Sequence, residues 1–216
     1  MALTASGPAR LVLSIAAQAP TAMLDEHLEV TQDGRPVEVT EIADPHGTRL
    51  HLLDVDVGVR LQPVADWWRG QIEDGGGYYA FNDFHAAIAL AQSNDRQGLD
   101  ALNRRLEIEL ESGDPSSGRA QVTRSIGLPL VNAIRDYAAG HYADSASALV
   151  SLRDAAQRFG GSHAQRDLIT LTLMDAAARA GDRALASHYL NEREVMKPAS
   201  ALSERLRARH GVLAAA

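Results

Sequence analysis

An internal repeat in the C-terminal two thirds of the chain constrains its fold more than any other sequence feature. The repeat emerges when Ser93, Gly140 and Gly181 are aligned. Small residues follow five positions on and leucines nine positions on, namely Gly98, Ser145 and Ala186, then Leu102, Leu149 and Leu190. A small residue early in the second helix of a hairpin allows close approach to the first helix, and a leucine one turn later fills their shared core. The repeat therefore predicts stacked helical hairpins.

Apolar residues recur at helical spacing on both sides of these positions. The pattern predicts helices over residues 64–72, 131–139, 145–159 and 164–180. Glycine tolerates the left-handed conformation that ends many helices, so Gly140, the pair Gly160-Gly161, and Gly181 mark expected helix ends. Ser162 is a candidate N-cap for the helix that follows it.

The repeat spacings are longer than in the standard tetratricopeptide repeat. The three aligned positions lie 47 and 41 residues apart, compared with about 34 residues in that repeat. The longer spacing requires longer helices or loops, and residues 113–118 are the expected loop. The predicted fold class is mainly α, with tetratricopeptide-like helical hairpin repeats.

Residues 1–62 differ in composition from the rest of the chain. All ten aromatic residues lie between Trp67 and Tyr189, whereas residues 1–62 carry four arginines and nine acidic residues. Because a single small core ordinarily draws large side chains from its whole length, we predict two segments, 1–62 and 63–216. Short apolar or alternating runs surround Asp33-Gly34, a strong hairpin signal. The first segment is therefore predicted to be a small antiparallel β segment.

Four short motifs occur in order within the helical segment. They are Tyr79-Ala80-Phe81-Asn82-Asp83-Phe84-His85-Ala86, Gly127-Leu128-Pro129-Leu130, Gly160-Gly161-Ser162-His163-Ala164-Gln165-Arg166-Asp167, and Leu190-Asn191-Glu192-Arg193 with Lys197-Pro198. Over about residues 63–207 the chain resembles the C-terminal part of the tetratricopeptide repeat protein 38 family. The resemblance implies an all-helical, superhelical scaffold and no established catalysis.

A second resemblance concerns the β segment. It rests on Leu24-Asp25-Glu26-His27-Leu28-Glu29-Val30, Asp33-Gly34-Arg35-Pro36-Val37, and His46-Gly47-Thr48-Arg49-Leu50-His51-Leu52-Leu53. Over about residues 8–57 the chain looks like the N-terminal β-rich portion of bacterial transglutaminase-like proteins. The activity of that family depends on a Cys-His-Asp triad in a later domain, and this sequence contains no cysteine. The resemblance therefore implies a β module without acyl-transfer chemistry.

Composition disfavours several classes of partner. The formal net charge is −7 and the pI is about 5.6, which argues against binding nucleic acid or an anionic membrane. The longest apolar runs are too short to span a bilayer. Without cysteine, no thiolate can ligate a metal or act as a nucleophile. We expect a cytoplasmic protein without a cofactor.

Polar residues that could carry chemistry or binding concentrate in two of the motifs. The candidate binding residues are Asn82, Asp83, His85, Ser162, His163, Gln165, Arg166 and Asp167. Ser162 and His163 are adjacent, so they cannot pair as nucleophile and base, and a triad would need His85 to reach Ser162. In the structural alternative, Asp83 and Ser162 cap helices while Arg166 and Asp167 make buried or inter-repeat hydrogen bonds. The remaining alternative is a peptide-binding surface.

Three hypotheses for function follow. The first is a non-catalytic scaffold that binds a protein or peptide partner or associates with itself. The second is a hydrolase or metal-dependent enzyme that uses Asp83 and His85 together with His163 and Asp167, although their spacing matches no known helical metal motif. The third is a partial fusion of two families without a dedicated function.

Overall fold

The computed structural model describes residues 3–5, 30–32, 35–37, 62–74, 79–159, 163–198 and 200–210. Most of these residues are helical, which confirms the prediction of a mainly α chain. The helices are α1 (Gln62–Glu73), α2 (Ala80–Gln92), α3 (Arg96–Ser112), α4 (Gly118–Val122), α5 (Leu128–Ala139), α6 (Tyr142–Ala155), α7 (His163–Arg179), α8 (Arg183–Met196) and α9 (Ala201–His210). A π-helical turn (Thr123–Gly127) joins α4 to α5, and a 3₁₀ turn (Ala156–Phe159) follows α6.

Three short strands precede the helices. They are β1 (Leu3–Ala5), β2 (Val30–Gln32) and β3 (Arg35–Val37), and they form a sheet in the order β1-β2-β3. β1 pairs with β2 in parallel, whereas β2 pairs with β3 antiparallel. The rest of the predicted β segment, including Asp33-Gly34, lies outside the described residues. The division into segments 1–62 and 63–216 stays a prediction, and α1 begins next to that boundary.

Three helical hairpins, α2–α3, α5–α6 and α7–α8, turn in the same way. In each of them, a residue one or two positions after the end of the first helix adopts a left-handed conformation, with φ of 55° at Asn94, 86° at Gly140 and 83° at Gly181. The backbone N–H of this left-handed residue donates to the carbonyl three positions earlier in the chain. The N–H of the residue that follows it donates to the carbonyl five positions earlier than itself. This is the Schellman arrangement. The predicted helix ends at Gly140 and Gly181 are therefore confirmed.

In the turn of the first hairpin, the alignment of Ser93 with Gly140 and Gly181 is wrong by one residue. Ser93 has a φ of −91°, and the left-handed residue is Asn94, one position later. Asparagine also tolerates this conformation, so the first turn carries no glycine signature. The pair Gly160-Gly161 and the N-cap candidate Ser162 lie outside the described residues.

The small positions and the leucines of the repeat lie in the core, as predicted. A Cβ added to Gly98 would meet Leu90 Cδ2 at 2.7 Å, so the missing side chain permits the close approach of α2 and α3. Ser145 is fully buried and donates a hydrogen bond from Oγ to the Ala133 carbonyl on α5, 2.8 Å away. The three leucines are at most 1% exposed: Leu102, Leu149 and Leu190.

The hairpins stack in chain order around a continuous apolar core. α5 packs against α2 and α3, α6 packs against α7, and the ends of the array are covered by α1 on one side and α9 on the other. The predicted helix at 64–72 is confirmed as α1, in which Trp68 is fully buried. The predicted loop at 113–118 is shorter than expected, because α4 already begins at Gly118. Neither α4 nor the π-helical turn was predicted.

Candidate functional site

Asp83 forms a buried ion pair between two helices. Its carboxylate is 1% exposed and lies 2.6 Å from Nη2 of Arg105 on α3. The structural alternative assigned Asp83 to a helix cap, and that prediction is wrong, because the N-cap of α2 is Tyr79. Burial raises the pKa of Asp83 to about 6, against the opposing effect of Arg105. This pair joins the two helices of the first hairpin.

His85 lies two residues further along α2 and is also buried. Its Nδ1 lies 2.8 Å from the Phe81 carbonyl, so Nδ1–H donates to that oxygen and Nε2 carries no proton. The ring contacts Phe81 and Phe84, with ring centroids 4.3 and 5.5 Å away. Burial lowers the pKa of His85 to about 4. His85 is therefore a neutral imidazole packed against two phenylalanine rings inside the first hairpin.

Asp167, whose side chain is 9% exposed, makes buried hydrogen bonds of the kind that the structural alternative predicted, within the third hairpin and not between repeats. Its Oδ2 accepts hydrogen bonds from Arg193 Nη2 at 3.0 Å and Lys197 Nζ at 2.8 Å. Burial favours the neutral acid, but these two cations outweigh burial and lower the pKa of Asp167. Arg166 and Asp167 both line a pocket between α6, α7 and α8.

The candidate residues of the two motifs, 79–86 and 160–167, make their ion pairs with different helices. Asp83 pairs with α3 and Asp167 pairs with α8. Asn82 and Gln165 are 8% and 4% exposed, so most of their surface is packed against the protein. Ser162 lies outside the described residues, and His163 begins α7. In the part of the chain that is described, no three His, Asp or Glu side chains are grouped so as to hold a metal ion.

A cluster of four side chains that the sequence did not reveal joins the second and third hairpins. The Tyr137 hydroxyl on α5 donates to Asp175 Oδ2 on α7, and Arg179 Nε donates to the same oxygen at 2.6 Å. The Arg179 guanidinium lies 5.5 Å from the ring centroid of Tyr142. Tyr137 and Tyr142 meet edge to face at 5.4 Å. We call these four residues the tyrosine–arginine cluster.

Charge in this cluster is held in a buried setting. The Asp175 side chain is fully buried, and that of Arg179 is 33% exposed. Burial and the adjacent Asp175 raise the pKa of Tyr137, so its hydroxyl stays protonated and remains a donor. Burial lowers the pKa of Arg179, but the hydrogen bond and charge of Asp175 outweigh burial and raise it. The protonated Tyr137 hydroxyl and the charged Arg179 guanidinium therefore both donate to Asp175 at neutral pH.

The cluster borders a groove to which the first helix of every hairpin contributes. We call it the three-helix groove, and its volume is about 160 Å³. It is lined from α2, α5 and α7 by Ile88, Ala91, Gln92, Ile134, Ala138 and Thr172, with Tyr137, Tyr142 and Arg179 of the cluster beside them. One sequence signal for it existed, because Asp175 is the single charged residue within 168–178. A buried carboxylate in an apolar helix needs a partner.

A second pocket lies where α6, α7 and α8 meet, and we call it the charged pocket. Its volume is about 670 Å³. The charged side chains that line it are Arg153, Asp154, Arg166, Asp167, Glu192, Arg193 and Lys197. Arg153 donates hydrogen bonds from both Nη atoms to Glu192, and Nη1 lies 2.8 Å from Oε2. Of the candidate residues, Arg166 and Asp167 belong to this pocket.

Every helix in the described ranges is too short or too polar to cross a lipid bilayer. No protein-family model matches this chain, and no solved structure is significantly similar to it.

Proposed function

We propose that this protein is a non-catalytic helical-repeat scaffold of the tetratricopeptide type, which binds a peptide segment of a partner protein in the three-helix groove. The observation that carries the proposal is the composition of the groove wall, to which α2, α5 and α7 all contribute. Stacked hairpins form extended binding surfaces from the equivalent helices of successive repeats. The resemblance to the tetratricopeptide repeat protein 38 family agrees with this proposal and stays a prediction.

The chemistry of the groove favours an amphipathic peptide. Ile88, Ala91 and Ile134 provide apolar contact, while Gln92 and Asn94 provide amide groups. Aromatic and arginine side chains are frequent anchors in protein interfaces, and Tyr142 and Arg179 lie at the groove. The groove volume suits one or two anchoring side chains better than a drug-sized ligand, which needs at least about 300 Å³.

The enzyme hypothesis has weaker support in the described contacts. Asp83 is bound to Arg105, Asp167 is bound to two cations, and His85 packs between two phenylalanine rings with Nδ1 bonded to its own helix. A general base needs to reach a substrate proton within hydrogen-bonding distance. The scaffold proposal instead gives these residues a structural role.

Peptide selection tests the scaffold proposal. Peptides would be selected by phage display against the whole chain, and their affinities measured by fluorescence polarisation for Ala91→Arg and Ser151→Arg. Ala91 lines the groove, whereas Ser151 is exposed on α6. We expect Ala91→Arg to weaken binding by at least about tenfold and Ser151→Arg by less than about twofold. Circular dichroism would establish that both variants fold.

Two results would contradict the proposal. One is that no peptide is enriched, and the other is that the selected peptides bind Ala91→Arg as tightly as the unmodified chain. Self-association is tested beside it by light scattering. A dimer that Ala91→Arg dissociates would assign the groove to a second copy of the chain instead of a partner peptide.

The fusion hypothesis is tested by limited proteolysis. Cleavage near residues 57–64 that releases an intact helical part, together with two unfolding transitions, would favour two joined but independent segments. Resistance to cleavage and one cooperative transition would favour a single functional unit.

A further inference from the structure

We propose that the charged pocket is a second binding site, which takes an acidic peptide segment through its carboxylates. The pocket is separate from the three-helix groove and lined by different residues. This second site is also independent of the proposed function, since peptide binding there requires only the charged pocket.

The lining of the charged pocket is more basic than the chain as a whole. The whole chain has a net charge of −7, yet four basic side chains line this pocket against three acidic ones. One of those acids, Asp154, is 86% exposed and therefore well screened by water. Glu192 is matched by Arg153. In the rest of the lining, Arg193 and Lys197 share the single carboxylate of Asp167.

The carboxylate of Asp167 is bound by more than one cation. Arg193 and Lys197 donate to the same oxygen, Asp167 Oδ2, so two cations share one acceptor atom. Arg193 is 5% exposed in its side chain and also donates from Nη1 to Ser203 Oγ, 2.6 Å away. Two cations that share one carboxylate leave one positive charge of this group unmatched, which favours the arrival of another anion at the partly exposed Lys197.

The charged pocket is accessible from solvent and is bordered by exposed apolar side chains. The Lys197 side chain is 42% exposed, so its ammonium group can be reached from solvent. Met196 lines the pocket and is 75% exposed, and its neighbour Val195 is 82% exposed. A volume of about 670 Å³ accommodates several peptide side chains rather than a lone ion. Exposed apolar residues beside cations match a peptide that carries both acidic and apolar side chains.

Lys197 offers a site-specific probe, because it is the only lysine of the chain. Reductive methylation with ¹³C-formaldehyde keeps its charge and gives one side-chain NMR signal, beside that of the N-terminal amine. The signal is assigned by its loss in Lys197→Gln. The titrants are a peptide of six glutamates flanked by leucines, the same peptide with glutamines, and inorganic phosphate. We expect the glutamate peptide to shift the Lys197 signal saturably and the glutamine peptide to leave it unchanged.

Charge-reversal variants locate the site. We expect Arg166→Glu and Lys197→Glu each to weaken binding of the labelled glutamate peptide by at least about tenfold in fluorescence polarisation. The matched control is Arg124→Glu, which reverses the same charge at an exposed position in the π-helical turn and should change the affinity by less than about twofold. Because Lys197 is partly exposed, Lys197→Glu keeps the test valid if Arg166→Glu fails to fold.

Three outcomes would overturn the inference. They are an unshifted Lys197 signal with the glutamate peptide, an equal shift with the glutamine peptide, and equal affinities of the charge-reversal variants and the control. Phosphate that binds as tightly as the glutamate peptide would overturn the peptide assignment, because the pocket would then recognise a free oxyanion. Weakening of the peptide complex as salt rises from about 50 to 300 mM supports it.

Discussion

The Tyr137 hydroxyl on α5 donates a hydrogen bond to the Asp175 carboxylate on α7, and this contact ties the second hairpin to the third. Asp175 is fully buried and bonds to Arg179 through the same oxygen. The contact lies beside the three-helix groove, so the geometry of the groove depends on it.

Tyr137→Phe tests the strength of this contact. The substitution removes one donor from a buried carboxylate and keeps the ring, so we expect the free energy of unfolding to fall by about 2 kcal/mol. Urea denaturation followed by circular dichroism measures it. The matched control is Tyr142→Phe, which keeps the ring contact with Arg179 and should cost less than about 0.5 kcal/mol. Equal losses in the two variants would contradict a specific role for the Tyr137 hydroxyl.

A glycine-to-alanine substitution should change the free energy of unfolding in opposite directions in a turn and within a helix. Gly140 has a φ of 86° and open space around its Cα, so Gly140→Ala is opposed by backbone conformation alone. We expect it to cost about 1–2 kcal/mol. Gly70 lies within α1, also in open space, and Gly70→Ala should stabilise by about 0.5–1 kcal/mol. Thermal unfolding of both variants decides the matter, and a shift of the same sign in both would refute the assigned turn conformation.

The second hairpin lacks a side-chain cap that the other two possess. Asp95 and Asp182 accept hydrogen bonds from the N–H groups of Gly98 and Leu185, both at 2.9 Å. His141 occupies the equivalent N-cap of α6 and makes no such bond. We expect His141→Asn to raise the free energy of unfolding by about 0.5–1 kcal/mol. The converse change, Asp182→Ala, should lower it by about 1 kcal/mol, and a neutral result in both would argue against this capping difference.

Asp83 and His85 give stability opposite dependences on pH. Burial raises the folded pKa of Asp83 from 3.8 to about 6, so its contribution is full below pH 3.8 and is lost as pH rises through 6. Burial lowers the folded pKa of His85 from 6.5 to about 4, so its contribution is full above pH 6.5 and is lost as pH falls through 4. The two slopes offset each other between about pH 4 and 6.

Two variants separate these slopes. Asp83→Asn leaves the His85 slope, so stability should rise with pH between about 4.5 and 6, by on the order of 1 kcal/mol per pH unit. His85→Gln leaves the Asp83 slope, so stability should fall over the same range. Urea midpoints at several pH values measure both. Parallel pH profiles for the two variants and the unmodified chain would rule out the assigned protonation states.

The helical part of the fold could be predicted from the sequence, because the signals for helices and their ends come from residues close together in the chain. Left-handed glycines end helices wherever they occur, so Gly140 and Gly181 were predictable, whereas Asn94 adopts the same conformation without the glycine signature. The π-helical turn had no such signal. Gly127 ends it and lies close to α2, where an added Cβ would meet Ala80 Cβ at 2.9 Å. That contact depends on the packing of helices distant in sequence.

The candidate site was harder to predict, because its chemistry depends on contacts between helices. The sequence singled out Asp83 and Asp167 by residue type, and both are bound in ion pairs to other helices. Tyr137 and Asp175 are 38 residues apart and share no motif. Only the stacking of the second hairpin on the third brings them together beside the groove.

Photo-crosslinking of a selected peptide tests the central claim most directly. A peptide obtained by selection against the whole chain would carry photo-leucine at each apolar position in turn, and mass spectrometry would identify the residues to which it attaches. We expect attachment in the three-helix groove, at Ile88, Gln92 or Tyr142. Attachment instead at exposed apolar residues outside both proposed sites, Tyr79 or Ile108, would contradict this claim.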